Sequence, residues 1–356
     1  MEKFGRDEWV AQVDARRKEA GALGQIAARW NRLPLWARFA AFVILAAAVP
    51  LATDNDYVIR VAGNFVLYGA LALGLNVVVG YAGLLDLGYV AFFGIGGYAY
   101  ALLASPQFNN HWPTWAIIPF VIVLSVGMGL LLGSPSLRLV GDYLAIVTLG
   151  FGQIFVQLAT SFDKVKFPWM EEPINFTGGP NGIVNTDPIT LFGFALKTVT
   201  HYYFLLLIVI AFVLIGIHHL NQSRIGRAWR AMREDSLAAE AMGMPVKRLK
   251  LLAFMLGAAI AGLFGAIFGG WQGSVFPSNF DVTLLILLYA MVILGGMGSL
   301  PGVLVGAFVL TVVPELLREV DIARYIFYGG VLIVLFTTLR PRWRMAAALG
   351  GAILFG

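Results

Sequence analysis

The sequence predicts an all-α, polytopic integral membrane protein with about ten transmembrane helices and with both termini in the cytoplasm. The chain of 356 residues is 59% hydrophobic and only 13% charged, and its mean hydropathy is +0.79. Apolar runs of about 20 residues, the length that crosses a bilayer as a helix, recur along it. Because backbone amides within lipid must be hydrogen-bonded internally, these runs are predicted to be helical.

The predicted spans follow one another along most of the chain. The first is short, and the third is interrupted by glycines near residues 83–97. The spans lie at residues 39–53, 61–80, 85–104, 114–133, 141–160, 201–219, 251–272, 282–298, 302–317 and 325–339.

The basic residues predict the orientation. With the N-terminus inside, 19 of the 25 Lys and Arg residues fall on the inner side of these spans, and seven of them lie in residues 224–250. Cytoplasmic loops of membrane proteins carry such an excess of basic residues. This places residues 221–250 in the cytoplasm and residues 161–200 outside.

The motifs of several functional classes are missing from the sequence. It has no cysteine, no GxxxxGK[ST] phosphate loop and no HExxH motif, so we expect no bound metal, no ATP hydrolysis and no cofactor in this chain. Asp86 is the one carboxylate plainly inside a predicted span, whereas ion-coupled transporters usually carry several buried ionisable groups. The net charge of +5 follows the membrane topology, so we expect no nucleic-acid partner. The chain is predicted to be a conduit without its own energy source.

The ends of the chain fall outside the predicted transmembrane domain of residues 39–340. Residues 1–38 carry Trp9, Val10, Val13, Ile26 and Trp30 among many charges. This pattern fits an amphipathic helix on the membrane surface, and a disordered cytoplasmic segment fits as well. Residues 341–356 form an apolar tail that is too short to span the bilayer.

Residues 223–250, "SRIGRAWRAMREDSLAAEAMGMPVKRLK", form a basic loop between two apolar spans. Arg224, Arg227, Arg230 and Arg233 recur every three residues, while Ile225, Trp229 and Met232 share another helix face. The spacing predicts an amphipathic helix lying along the inner membrane surface. The arginines alone fit a role in topology and in binding lipid headgroups.

A second, short helix is predicted after it. Asp235 or Ser236 supplies the N-cap, and Gly243 followed by Pro245 ends the helix. The small residues Ala238, Ala239 and Ala241 would let a partner approach closely. A topology loop needs no such helix, so the pattern indicates a docking site for a separate ATPase.

Five stretches, taken together, resemble the branched-chain amino acid permeases of ABC importers, of the LivM type. The basic loop resembles their coupling loop, and the resemblance extends over about residues 35–340. The other four stretches are "GLNVVVGYAGLLDLGYVAFFGIGGYAYALL" (74–103), "LRLVGDYLAIVTLGFGQI" (137–154), "TGGPNGI" (177–183) and "MVILGGMGSLPGVLVGAFVL" (291–310).

The resemblance implies a membrane subunit of a binding-protein-dependent importer for leucine, isoleucine or valine in the bacterial inner membrane. Its implied partners are a second, LivH-type permease, two ATPase subunits of the LivG and LivF type that bind ATP and Mg²⁺, and an extracytoplasmic amino-acid-binding protein. By the same resemblance, the coupling loop includes Glu240 and Gly243, together with Arg227, Ser236 and the three alanines of the short helix.

Candidate pathway residues lie in the second, third and fifth spans, and the first of them is Asn76. In the motif at 74–103, Gly94, Gly96 and Gly97 would permit either close helix packing or local unwinding around a substrate. Asp86 would accept the substrate ammonium group or cap a helix N-terminus. In the fifth span, Thr148 precedes Gln153 and Gln157, whose amides suit a zwitterion or a hydrogen bond between helices. The GxxxG motifs at 265–269 and 302–306 are predicted to pack helices.

Residues 161–200, here called the TGGPNG loop, form the largest predicted external surface. We expect the binding protein to dock there, and a passive cap over the helices is the alternative. The residues proposed for docking are Thr177, Gly178, Gly179, Asn181 and Gly182.

The sequence is also compatible with other functions. Urea permeases of the same superfamily share the TGGxxG pattern and the coupling loop. An ion-coupled secondary transporter would work as a single chain, and an integral-membrane enzyme would need chemistry that the sequence does not contain.

Overall fold

The computed structural model describes residues 46–53, 55–108, 110–136, 142–163, 165, 175–191, 193–316 and 329. The predicted N-terminal segment, the C-terminal tail and, apart from residue 329, the tenth predicted span lie outside these residues. The chain divides into two compact units, Met1–Asp54 and Asn55–Gly356. The described part of the first unit includes the short helix α1 (Val49–Ala52).

The second unit is built mainly from helices. In chain order they are α2 (Asp56–Asn76), α3 (Tyr89–Leu103), α4 (Thr114–Ser136), α5 (Asp142–Ser161), α6 (Val199–Gln222), α7 (Arg224–Glu234), α8 (Ser236–Ala241), α9 (Val246–Gln272), α10 (Val282–Gly295) and α11 (Leu300–Leu316). A π turn, Val77–Tyr81, extends α2. In the part of the chain that the structure describes, 3₁₀ turns lie at Pro106–Phe108, Gly179–Asn181 and Pro277–Phe280.

Within the described residues, six helices are long and apolar enough to cross a membrane. They are Asp56–Tyr81, Thr114–Ser134, Tyr143–Ser161, Val199–Gln222, Val246–Gln272 and Pro277–Gly295. The helices α3 and α11 are apolar but shorter. Each of the eight predicted spans from the second to the ninth therefore coincides with a helix. The total of ten and the cytoplasmic placement of the termini stay predictions.

Among the described residues, three short antiparallel strand pairs lie in the connections between helices. β1 (Ala104–Ser105) pairs with β2 (Asn110–His111), and β4 (Thr190–Leu191) pairs with β5 (Phe194–Ala195). β3 (Ile183–Val184) pairs with β6 (Ser274–Val275), which directly follows α9. The last pair fastens the TGGPNG loop to the end of α9.

Local side-chain chemistry sets several helix starts. Asn55, Thr198 and Asp281 each accept a backbone N–H of the first turn of α2, α6 and α10, respectively. Such caps satisfy amides that have no partner inside the helix. At the C-terminal end of α9, Gly273 takes a left-handed conformation with φ of +66°, which favours glycine.

The helix α3 lies at the centre of the second unit and is buried from Tyr89 to Ala101. It packs mainly against α9, which also packs against α4. By contrast, α4, α5 and α6 leave large apolar side chains exposed, among them Val123, Ile146 and Phe212. Apolar surface of this kind is typical of helices that face lipid or another membrane subunit.

The basic loop and the TGGPNG loop lie at opposite ends of the helices. Both α6 and α9 run from one of these loops to the other, since α6 leads into the basic loop and α9 leads back to β6. At 27 residues, α9 is about 40 Å long. The relative placement of the two loops agrees with the sequence prediction.

Candidate functional site

The first helix of the basic loop, α7, packs its apolar face against the rest of the chain. The Ser223 hydroxyl oxygen caps it by accepting from the N–H of Ile225. Trp229 is fully buried and donates its indole N–H to the Leu249 carbonyl at 2.9 Å. Met232 is buried as well. The predicted amphipathic helix is confirmed, and its apolar face packs within the protein, while its placement along the inner membrane surface stays a prediction.

The arginines of α7 lie on its exposed side and differ in their partners. Arg227 donates to the carbonyl of Gln222 at 2.9 Å, a bond within its own stretch of chain. Arg233 instead donates to the carbonyl of Gly80, at the end of α2. The exposed Arg227 therefore fits the role in topology and headgroup binding, whereas Arg233 joins two distant elements.

The short helix α8 is confirmed, together with the signals that predicted it. The Asp235 carboxylate oxygen Oδ1 accepts the backbone N–H groups of Leu237 and Ala238 at 2.9 and 3.0 Å. Gly243 follows the helix with φ of +81°, and its N–H donates to the Glu240 carbonyl. The cap and the left-handed glycine fix both ends of α8.

The faces of α8 differ from the prediction in one respect. Ala239 is only 5% exposed and packs inside the chain, so the expectation that it lies on the docking face is wrong. Leu237 in the first turn and Met242 at the C-cap are 78% and 81% exposed. The other predicted coupling residues remain accessible: Ala238, Glu240, Ala241 and Gly243 are exposed, and Ser236 is half-buried.

The interruption of the predicted third span lies before α3, not within it. Residues 82–88, here called the break segment, connect the π turn to α3, and Gly83 has φ of +69°. Gly94, Gly96 and Gly97 lie inside the continuous helix α3. The predicted break near residues 83–97 is therefore confirmed for its first part and wrong for its second.

Asp86 is buried in the break segment and organises its backbone. Its Oδ1 accepts from the N–H of Gly88 at 2.9 Å, and its own carbonyl accepts from the Tyr289 hydroxyl at 2.8 Å. The Thr148 hydroxyl accepts from the N–H of Leu87 at 2.9 Å. Asp86 and Thr148 thus lie at one buried site, and their role in a pathway stays a prediction. The second oxygen of Asp86 has no hydrogen-bond partner among the described residues.

Asn76 is fully buried and connects α2 with the turn between α10 and α11. Its amide oxygen accepts from the N–H of Gly298 at 2.8 Å. A side chain at Gly80 would collide with this amide oxygen, so the contact requires glycine there. Sequence reasoning missed Gly298 as its partner. The only signal was the glycine-rich "GGMGS" run, which gives no partner.

The α3 glycines serve close helix packing. A Cβ at Gly96 would collide with the backbone of Gly262 in α9, and a Cβ at Gly94 would collide with the Phe155 ring. A Cβ at Gly97 would lie 3.1 Å from Phe280. Of the two readings offered for these glycines, the geometry favours packing.

Gly96→Val is therefore expected to destabilise the chain strongly. Overpacking a close contact costs about 1–3 kcal/mol when side chains can move, and backbone atoms of α9 have less freedom to do so. The measurement is the melting temperature and yield of the purified chain in detergent. Gly150→Val on α5 is the matched control, since a Cβ there meets nothing within 4 Å. Equal stability of the two variants would contradict the packing role.

Gln153 and Gln157 lie on the exposed side of α5, away from the buried Asp86 and Thr148. The Gln157 amide nitrogen donates to the Ser161 hydroxyl at 3.1 Å. The structure does not bring the two amides together with the buried site. They lie among exposed apolar side chains such as Ile154 and Leu158.

The TGGPNG loop has a defined backbone at the predicted docking residues. Gly178, Gly179 and Gly182 all have positive φ, between +57° and +73°, and Gly182 leads directly into β3. The Thr177 hydroxyl accepts from the N–H of Gly179 at 3.3 Å. Asn181 is exposed, while Gly179 and Gly182 are buried. The glycines shape the turn, and the exposed surface comes from its tip.

Comparison with known proteins decides the family. A family model described as the permease component of the branched-chain amino acid transport system matches residues 57–336. The chain belongs to this permease family. The match covers every helix from α2 to α11.

This permease also resembles individual curated proteins. It is 38% identical over 328 residues to the high-affinity branched-chain amino acid transport system permease protein LivM of Escherichia coli K12, covering 85% of this chain and 73% of that protein. The LivM protein of Salmonella typhimurium gives the same identity and coverage. A probable LivM of Methanocaldococcus jannaschii is 26% identical over 272 residues, with 73% and 72% coverage. No solved structure matches the chain.

Proposed function

We propose that this permease is the membrane subunit of an ATP-driven importer that moves leucine, isoleucine or valine across the bacterial inner membrane by alternating access. The substrate class rests on membership of the permease family over residues 57–336. The ATP-driven mechanism rests on one structural observation, the capped helix α8 with Leu237 and Met242 projecting from it.

The basic loop is the docking site for ATPase subunits in this proposal. Large apolar side chains exposed to water are unfavourable unless a partner covers them. Leu237 and Met242 offer apolar contacts to such a partner, and the exposed Glu240 is available for a polar contact. The partners are two ATPases of the LivG and LivF type that bind ATP and Mg²⁺.

The TGGPNG loop lies at the other end of the helices and is the docking surface for the extracytoplasmic amino-acid-binding protein. Its strand pair with β6 holds the loop in place. A second, LivH-type permease covers part of the exposed helix surface. The face of α5 with Gln153 and Gln157 suits this contact, because two amides are costly to expose to lipid.

The translocation pathway runs past the break segment and the amide-bearing face of α5. In a second conformation that opens the buried site, the free oxygen of Asp86 is available to the substrate ammonium group. Non-helical backbone at membrane depth is typical of transporter binding sites.

The rival functions have less support. The family and its relatives are described as branched-chain amino acid permeases, which favours these substrates over urea. A secondary transporter would move its substrate as a single chain, driven by an ion gradient.

We expect ATP-dependent uptake of labelled leucine by liposomes that contain this permease, its sister permease and both ATPases. The loaded binding protein is supplied on the side of the TGGPNG loop, and ATP is supplied on the side of the ATPases. The permease alone is expected to transport nothing and to bind no nucleotide. Excess isoleucine or valine should compete with leucine, and excess urea should not. Robust ion-driven leucine uptake by the purified single chain would show that the proposal is wrong.

A further inference from the structure

Three separate parts of the permease meet at Arg233. This residue lies in the last turn of α7, two residues before the Asp235 cap of α8. Its guanidinium donates a hydrogen bond to the carbonyl of Gly80, which is 153 residues earlier in the chain. The contact therefore connects the docking end of the basic loop directly to the helix that precedes the break segment.

Gly80 lies in the π turn that ends α2. The last carbonyls of a helix have no partner inside it, and the C-terminal end of a helix carries partial negative charge. A guanidinium at this position supplies both a donor and a positive charge, as basic side chains do at helix C-termini. The donor here comes from a distant element, so the bond fixes the position of α7 relative to α2.

Two glycines make room for the arginine. A Cβ at Gly83, in the break segment, would lie 2.8 Å from Cγ of Arg233. A Cβ at Gly298 would lie 3.2 Å from its Nη1 atom. The Gly298 N–H is in turn bonded to Asn76. Arg233 is exposed overall, but its side chain passes close to the break segment and to the turn that connects α10 with α11.

We propose that Arg233 is the positioning residue that transmits movement of α8 to the break segment and to the Gly298 turn. This inference rests on the proposed function for the meaning of that movement. The Arg233 contact joins α7 and α8 to the π turn, so that a displacement of α8 by the ATPases displaces the neighbours of Asp86. Coupling between distant sites needs a physical element of this kind whose position both sites bias.

Two other arginines of the stripe make local bonds, and one of them is Arg230, which donates to the Asn221 carbonyl nine residues away at 3.4 Å. Arg227 donates to the Gln222 carbonyl, five residues away at the end of α6, so its bond stays local in the chain. Of the arginines compared, Arg233 is the one whose hydrogen bond reaches a distant part of the chain. A purely topological role for the stripe would not require that bond.

A spin label in the break segment tests the contact without any transport assay. The chain has no cysteine, so Leu85→Cys gives one labelling site, and Leu85 is 42% exposed. In the full-length permease in lipid nanodiscs, Arg233→Gln is expected to shift the label spectrum towards higher mobility. Arg224→Gln is the matched control, because it removes the same charge from an exposed position of the same helix. Its spectrum should equal that of the parent.

Uptake per ATP hydrolysed, measured in the complete transport complex, is the second readout. Arg233→Gln should lower this ratio about tenfold, the scale of losing one charge-assisted hydrogen bond, while the complex still assembles and hydrolyses ATP. Arg233→Lys should recover part of the ratio, since it keeps a charged donor. If Arg233 only stabilised the fold, Arg233→Gln would lower the yield of purified permease and leave the uptake per ATP hydrolysed unchanged.

The two readouts separate the outcomes. An unchanged label spectrum or an unchanged uptake ratio in Arg233→Gln overturns the inference. If the parent complex hydrolyses ATP without transporting amino acids while the label still responds to Arg233→Gln, the proposed function is wrong and the positioning contact stands.

Discussion

Replacing both Leu237 and Met242 by glutamate is expected to abolish ATP-driven uptake and to prevent the ATPases from co-purifying with the permease. Both side chains are about four-fifths exposed in the free chain, so the change leaves the permease core intact. Burying a Leu or Met side chain contributes about 1.5–3 kcal/mol, and a buried unpaired carboxylate adds a further cost. Each 1.4 kcal/mol corresponds to about a tenfold change in affinity.

The matched control keeps the apolar surface. Leu237→Met combined with Met242→Leu exchanges the two side chains, and it should preserve both co-purification and uptake. Ala239→Trp is unsuitable for this purpose, because Ala239 is buried in the chain itself and the larger side chain would destabilise the permease. If the ATPases still co-purify with the double glutamate variant, α8 is not their docking site.

Gly182→Val is expected to abolish the stimulation of ATPase activity by the loaded binding protein while basal activity in the complete complex survives. Gly182 has φ of +63° and ψ of −170°, a region open essentially to glycine, where strain costs about 1–3 kcal/mol. A Cβ there would also collide with the carbonyl of Val275 in β6. The substitution should therefore detach β3 from β6 and displace the turn that carries Asn181.

Gly193→Val provides the comparison for this experiment. Gly193 also has a positive φ, +85°, but a Cβ there meets nothing within 4 Å. The control introduces backbone strain in the same loop without the collision, and stimulation should persist. If the loaded binding protein still stimulates ATPase activity in the Gly182→Val variant, the TGGPNG loop is a passive cap over the helices.

Local chemistry made much of the fold predictable. Asp235 and Gly243 define the ends of α8 through interactions that span only a few residues. Likewise, the apolar runs gave the positions of eight helices, since length and hydropathy are properties of each segment alone. The TGGPNG turn follows the same logic, because positive φ selects glycine.

Other features depend on tertiary contacts that the sequence does not reveal. Glycine is required both where a helix breaks, as at Gly83, and where two helices touch, as at Gly96, so the residue type cannot distinguish them. Which alanine of α8 is buried depends on how α7 packs against α9. The special role of Arg233 depends on a carbonyl 153 residues away, and its spacing is identical to that of its neighbours in the stripe.

The helix α9 has a thermodynamic consequence for the working cycle. One end emerges from the basic loop, and the other continues into β6, the strand that holds the TGGPNG loop. If α9 moves as a rigid helix, the positions of the basic loop and of β6 change together. Reciprocity then requires that, if the arrival of the binding protein favours ATP binding by some factor, ATP binding favours the binding protein by the same factor. The permease would thus retain its delivery protein most tightly when its ATPases are loaded, and release it once the nucleotide is spent.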